Sequence, residues 1–391
     1  MLKLDTKNTI NKKTFQTYKS KIEKAKESLL KKKYAEFLLL PTQNTTQLAN
    51  QIAPLKKRFS DIVIIGMGGS VLGSQMLFHS LGKNNSKPPY IHFIDNIDPN
   101  LISSFEKPLT KKKTLFLFIS KSGDTLETVT LFSLIQKGAQ KWFGKNWQSH
   151  LKVITENEDG TLFKQATKNK LEIFKMPKYV AGRFSILSTA GLIPAILMDT
   201  NINKLLLGAA KASGSKTADN LAILLYHMYT KKHKPTLALF PYIDRFEYFN
   251  KWAVQLIAES LGKTSKKGPL PIGLIGAKDQ HSMLQLLLDG PKDKWVLFTE
   301  TATRQKDYVA NKIKFSQILE AQKKGTEHAL KQKNVPSATL NLEKIDEENL
   351  GELIMTFEIA VALAGELFKV NAFNQPSVEL GKKVTKKLLN I

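Results

Sequence analysis

From Asp61 onward the chain alternates short, continuously apolar runs with longer amphipathic ones. Asp61–Ile65, Tyr90–Ile94, Thr114–Ile119, Leu151–Thr155 and Leu171–Met176 read as strands buried on both faces, because none shows the polar alternation of a half-solvated sheet. Helical stretches begin near Ser70, Pro99, Leu126 and Gly160, and an apolar helix from Ser185 to about Met198 closes this unit. The alternation restarts after Asn201. Helices at 202–213 and 217–233 precede a strand at Thr236–Phe240, and a helix from about Arg245 to Leu261 follows. Then come Leu270–Ile275, a helix at 279–288, strands at Trp295–Phe298 and Ala338–Leu342, and a long helix from Glu347 to Val370. Residues 1 to about 45 read as helical, with Phe15, Ile22 and Leu29 set among many lysines. The expectation is an α/β chain of two doubly wound domains, each a mostly parallel sheet covered by helices. A helical extension (1–45) precedes a first domain (46–200) and a second domain with C-terminal helices (201–391).

In such sheets ligands bind beyond the C-terminal strand ends, which directs attention to two loops. Ser120-Lys-Ser-Gly-Asp-Thr125 lies between the strand Thr114–Ile119 and the helix starting at Leu126. Its glycine permits close backbone approach, its hydroxyls are neutral donors, and the first-turn N–H groups of the helix favour an anion. On its own it reads equally well as an ordinary turn with Ser122 or Asp124 as a helix cap. Gly66-Met-Gly-Gly-Ser70 follows Asp61–Ile65 in the same way. It begins like a dinucleotide-binding fingerprint, but Val71 stands where the third glycine belongs, and Asp95 is followed by Asn-Ile-Asp-Pro. Two Ser-Gly loops ending neighbouring parallel strands point instead to one phosphate gripped from two sides.

Composition narrows the classes. With 391 residues, 42% hydrophobic and 24% charged, the chain has the make-up of a globular protein with a large core. No apolar run reaches the roughly 20 residues that span a bilayer; Ile354–Gly365 is interrupted by Glu358 and reads as a buried helix. No signal-like leader is present, so a cytoplasmic location without membrane contact is expected. The absence of cysteine excludes disulfides, thiolate metal sites and cysteine nucleophiles, and the seven histidines are scattered without metal-ligand spacing. The net charge of +25 comes from 55 lysines and only 4 arginines, spread along the chain with the densest run from Lys19 to Lys33. That is a solvated helix face rather than a nucleic-acid reader, which would use more arginine. Where lysine is used nearly everywhere, an arginine marks a place that lysine does not serve. Arg183, in Val180-Ala-Gly-Arg-Phe-Ser185, is such a place: a fixed cation at an anionic centre, or else a surface arginine near a cap at Ser185.

Six segments carry a family resemblance: Gly66–Gly73, Ser120–Thr125, Val180–Ser185, Gln255–Lys263, Asp279-Gln-His-Ser282 and Gln375-Pro-Ser-Val-Glu-Leu-Gly-Lys382. In this order they resemble the glucose-6-phosphate isomerase (phosphoglucose isomerase) family, over residues 61–382. The resemblance implies two sugar-isomerase (SIS)-type domains and the reversible isomerisation of glucose 6-phosphate and fructose 6-phosphate, a step of glycolysis and gluconeogenesis. It implies no cofactor or metal, and a homodimer whose histidine enters the active site from the other subunit. It assigns Glu259 as the base, Arg183 to the enediolate, and His281 and Lys382 to ring opening and hydroxyl contacts. Ser70, Ser120, Ser122 and Thr125 would hold the phosphate, with Gly69 and the Lys121 backbone shaping the cradle and Gln255 and Gln375 bonding hydroxyls or phosphate. The chemistry asks for these types: moving a proton between adjacent carbons needs one base, a cation for the enediolate oxygen and an acid–base pair for the ring. Read alone, Glu259 is more readily a solvated partner of Lys263 one turn on, and only the other motifs reverse that reading. The sequence departs from the family with Gly276-Ala-Lys-Asp279 before the histidine and with Ala181 and Ser377 where glycine is usual. Alternatives are a broader isomerase that also takes mannose 6-phosphate, and a non-catalytic sugar-phosphate sensor, which would not need Glu259, Arg183 and Lys382 together.

Overall fold

The computed structural model describes residues 2–109, 113–303 and 306–390. Its strands, in chain order, are β1 (Lys3–Asn8), β2 (Asp61–Gly66), β3 (Tyr90–Ile94), β4 (Thr114–Ile119), β5 (Leu151–Thr155) and β6 (Glu172–Lys175). They continue with β7 (Thr236–Pro241), β8 (Leu270–Gly273), β9 (Lys294–Thr301), the short pair β10 (Val309–Ala310) and β11 (Ile313–Lys314), and β12 (Ser337–Leu342). One sheet runs β3-β2-β4-β5-β6, with every pairing parallel. Its central strands β2 and β4 are buried at every position, as their unbroken apolar runs require. The second sheet runs β1-β12-β9-β7-β8 and is parallel except for β1, which pairs antiparallel with β12.

Both sheets reverse their direction of winding, the first after β3 and the second after β8. In the first sheet the reversal falls between β2 and β4, and in the second between β7 and β9. A crevice opens at the C-terminal ends of the strands at each such point. One hydrophobic cluster takes residues from both sheets, including Ile62 and Leu117 from the first and Leu237 and Leu340 from the second. The helix Glu347–Phe368 lies in that cluster, buried over most of its length.

Two expectations are corrected, and one helix is added to the pattern. The first residues do not begin as helix: β1 closes the edge of the second sheet, and its lysines and polar residues suit an edge strand. The lysine-rich run does form a helix, Lys19–Leu30, which buries Ile22, Ala25 and Leu29 at helical spacing. The span expected as one helix at 279–288 is a 3-10 turn, Lys278–His281, followed by the short helix Leu284–Asp289. The helix Phe315–Gln332 has no counterpart in the sequence pattern set out above. It supplies the crossover that any parallel β9–β12 pair demands.

Candidate active site

The site is built on the first sheet's switch point. Gly66 ends β2 and Ile119 ends β4, and these two residues are paired in register. The loops that follow, Met67–Ser70 and Ser120–Thr125, therefore emerge side by side. Ser120 is buried and its hydroxyl lies 2.9 Å from that of Thr125, so both can face one ligand. Gly123, at φ +70°, turns the loop between them. No side chain caps the helix Leu126–Phe143 that follows. Asp124, a candidate cap, instead accepts from the N–H and hydroxyl of Thr161 at the start of the next helix. Ser122 is exposed, and its Oγ accepts from the Asp124 N–H. The uncapped first turn and paired hydroxyls favour the anion reading over the ordinary turn. The Lys121 ammonium donates to the Lys178 carbonyl at 2.9 Å rather than entering the loop, and burial pushes its pKa down against the pull of Glu156 and Glu36.

The glycine loop of β2 abuts the arginine loop. A side chain at Gly69 would meet the backbone of Gly182 and Arg183 at 2.6–2.8 Å, so only glycine allows this approach. A side chain at Gly68 would meet Gln255 Nε2 at 2.9 Å, and Gly68 also sits at φ +52°. Ser70 thus shares one wall with Arg183 and Gln255.

Arg183 lies in a 3-10 turn, Gly182–Phe184, and is 3% exposed. Its guanidinium has a partner on every nitrogen. Nε donates to Ser260 Oγ (2.8 Å), and Nη1 donates to Glu259 Oε2 (3.0 Å) and Gln375 Oε1 (3.1 Å). Nη2 donates to the carbonyls of Ala372 (2.5 Å) and Asn374 (3.0 Å). Burial pushes its pKa down while Glu259 holds it up, and a guanidinium stays protonated under that balance. This is why lysine does not serve here: one ammonium cannot present a planar fork to two chain segments, the end of the helix Glu247–Leu261 and the 372–375 loop.

Glu259 is carried by the helix Glu247–Leu261. Gln255, one turn earlier on the same face, donates from Nε2 to Glu259 Oε1 at 3.0 Å. The buried Trp252 of that helix donates its indole N–H to the Arg183 carbonyl at 3.2 Å. Glu259 therefore turns toward Arg183 and is not the solvated partner of Lys263. Its side chain keeps 34% of its exposure, so it remains open to a ligand. A cavity of about 260 Å³ opens there, lined by Glu259, Lys263, Gln375 and Pro376 among others.

Two further groups belong to this arrangement although no signal in the sequence assigns them a role. Ser260 holds Arg183 through Nε. Lys263 lines the cavity and donates to the Asn374 carbonyl, which Arg183 also holds. Burial and the neighbouring Arg183 push its pKa down to about 8, with Glu259 pulling the other way. Lys263 stands inside the Gln255–Lys263 segment that carries the resemblance, so its position is on view in the sequence although its role is not.

The structure gathers Arg183, Glu259, Gln255 and Gln375, with Gly69 and Ser70 against them and Ser120 and Thr125 across the switch point. It does not bring in His281 or Lys382. His281 ends the 3-10 turn Lys278–His281 and is exposed. Its flanking residues fix the turn: Asp279 accepts from Ile275 N–H and Ser282 Oγ, and Gln280 donates to Thr326 Oγ1. Lys382 lies on the exposed helix Val378–Leu388 and pairs with Glu379 at 2.8 Å. Among the described residues, no hydrogen bond joins either group to Arg183 or Glu259.

The phosphoglucose isomerase family model matches residues 52–391. The chain belongs to the phosphoglucose isomerase family. It is 36% identical to the glucose-6-phosphate isomerase of Methanocaldococcus jannaschii over 347 residues, covering 85% of this chain and 84% of that one. A solved hypothetical protein from Thermus thermophilus superposes along the full length of both chains with a TM-score of 0.92 at 30% identity. The glucose-6-phosphate isomerase of Chlamydia trachomatis gives a TM-score of 0.79 at 25% identity, over 88% of this chain and 72% of that one. As a phosphoglucose isomerase family member, the chain has the two-sheet α/β fold its sequence implied. Among the described residues no helix is long and apolar enough to cross a membrane, and no group of three or more His, Asp or Glu side chains is placed to hold a metal ion.

Proposed function

We propose that this site interconverts glucose 6-phosphate and fructose 6-phosphate by ring opening and proton transfer through a cis-enediolate. The chain is an aldose–ketose isomerase of the phosphoglucose isomerase family. The observation that carries the reading is the buried Arg183, which holds the partly exposed carboxylate Glu259 and the Gln375 amide at one point beside Gly69. Phosphate sits on the Ser120–Thr125 loop and Ser70, at the uncapped helix start, which leaves the sugar carbons over Glu259. Glu259 removes the proton from one carbon and returns it to the next. Arg183, held in place by five contacts, stabilises the enediolate oxygen through its fixed positive charge. Gln255 orients the carboxylate and bonds sugar hydroxyls.

His281 and Lys382 open the ring, and His281 does so from the partner subunit of a homodimer. Their exposure supports this, as does the helix bearing Lys382, whose Leu380 and Leu388 are 72% and 78% exposed. Mixing inactive Glu259→Gln and His281→Ala chains under exchange would restore about a quarter of the normal rate if the histidine crosses the two-fold, and none if it acts within its own chain. The reaction itself is tested with purified, EDTA-treated protein supplied with fructose 6-phosphate, glucose 6-phosphate being read by a coupled dehydrogenase and mannose 6-phosphate run alongside. Turnover of fructose 6-phosphate that survives chelation is expected. Binding of the sugar phosphate without turnover would replace the isomerase by a sensor.

A further inference from the structure

The two loops that hold Arg183 are themselves gripped by a segment lying before the family match, which begins at residue 52. This segment is the 3-10 stretch Lys33–Thr42. Phe37 is wholly buried, and its ring lies 5.1 Å from Phe184 and 6.0 Å from Phe373. Those two rings lie 5.1 Å from each other. Phe184 follows Arg183 directly, and Phe373 sits between the two carbonyls, Ala372 and Asn374, that accept from Arg183 Nη2. Tyr34 stacks on Phe373 at 5.7 Å and 11° and meets Tyr179 edge-on at 6.2 Å. Glu36 accepts from the Tyr179 N–H at 3.2 Å. The neighbouring carbonyl, Lys178, is the one held by Lys121 from the phosphate loop.

We propose that Tyr34, Glu36 and Phe37 are positioning residues for Arg183: one short segment fixes the loop in front of the arginine and the loop behind it. Aromatic contacts at these separations are directional, and the Glu36 bond sets the height of the 177–182 loop. Arg183 is carried by one of these loops and donates to the other, so its guanidinium keeps its place beside the reacting oxygen only while the loops stay in register. A shift of about 1 Å at such a distance from the chemistry costs up to about a hundredfold in rate. Packing alone would give a different signature, since it would lower stability and leave turnover intact in the fraction that folds.

The inference rests on the isomerase reading, and the experiment separates the two. Phe37 is a core residue whose removal endangers folding, so the test uses Tyr34, which is 39% exposed, and Glu36. Tyr34→Ala with Glu36→Ala is compared with Tyr34→Phe with Glu36→Gln, which keeps the ring stack and the acceptor. Amide hydrogen exchange, the melting temperature, and kcat and KM for fructose 6-phosphate are measured on each full-length chain. The alanine pair is expected to speed exchange in 177–184 and 371–375 and to lower kcat about tenfold with KM within about threefold. The conservative pair restores both. A lower melting temperature with unchanged exchange and kcat would overturn the proposal. Faster exchange in a chain whose unsubstituted form has no isomerase activity would uphold the brace and remove the reaction it serves.

Discussion

The two sheets wind alike, and each has a switch point with a crevice, yet the two crevices are furnished for opposite tasks. At the first, β2 and β4 end in loops of glycine and hydroxyl residues, the adjoining helix start has no side-chain cap, and the nearby Lys121 ammonium is turned away. At the second, a cavity of about 580 Å³ is lined by Tyr242, Glu300, Asp307 and Glu327, with Lys323 among them. Lys323 is buried, and its ammonium is already shared by Glu327 (2.9 Å), Glu300 (3.6 Å) and Thr339 Oγ1 (3.0 Å). Carboxylates repel a phosphate, and a neutralised lysine does not draw one. Topology makes a crevice, but glycine, hydroxyls and free N–H groups make it a phosphate site.

The largest effect that would break this contrast is expected at Glu259. Glu259→Gln keeps the shape and the bond to Arg183 but loses the base, so kcat should fall about 10²–10⁴-fold with little change in KM. Near-normal turnover would mean that the base is elsewhere. Gly69→Ala should follow, with kcat/KM reduced about a hundredfold, because the new Cβ drives the Ser70 loop off the Arg183 backbone. A wild-type rate would show that the two loops need not touch. Next comes the phosphate: Ser120→Ala with Thr125→Ala should raise KM about 10- to 100-fold at nearly constant kcat, since the phosphate is held in ground and transition states alike. Lys323→Met in the other crevice should leave KM alone and cost about 2 kcal/mol of stability by unpairing two carboxylates. A raised KM there would make the second crevice part of the substrate site.

The smallest effect concerns pH. Lys263 titrates near 8 in the folded chain rather than at 10.5, so it binds its proton less tightly folded than unfolded. Its contribution to stability therefore improves as pH rises from about 8 toward 10.5. Over the same range the cavity loses a positive charge next to Glu259 and Arg183. A change in kcat/KM of less than about tenfold near pH 8 is expected, absent from Lys263→Met. Identical pH profiles for the two chains would separate Lys263 from the site.

The fold is most legible where strands are buried on both faces, because continuous apolar runs such as Thr114–Ile119 admit little else. It is least legible at the second sheet's periphery. β1 is an edge strand whose Lys3, Asp5 and Lys7 hide its β character, and the helix Phe315–Gln332 is interrupted by an internal Gly325 and is mostly polar. At the site, Arg183 stands out because arginine is rare in this chain, and Glu259 through its motif. What holds Arg183 is hidden: the carbonyls of Ala372 and Asn374 are main-chain acceptors that every residue type offers. The aromatic brace is equally hidden, because Tyr34, Phe184 and Phe373 are distant in sequence and meet only in the fold.

The measurement that bears most directly on the central claim follows fructose 6-phosphate by NMR in D₂O with the wild-type and Glu259→Gln chains. A single base working through an enediolate exchanges the transferred proton with solvent. Wild type should therefore yield glucose 6-phosphate carrying deuterium at C2 after many turnovers, while Glu259→Gln should give almost none in the same time. Equal product from both chains, or product that never takes up deuterium, would contradict the account.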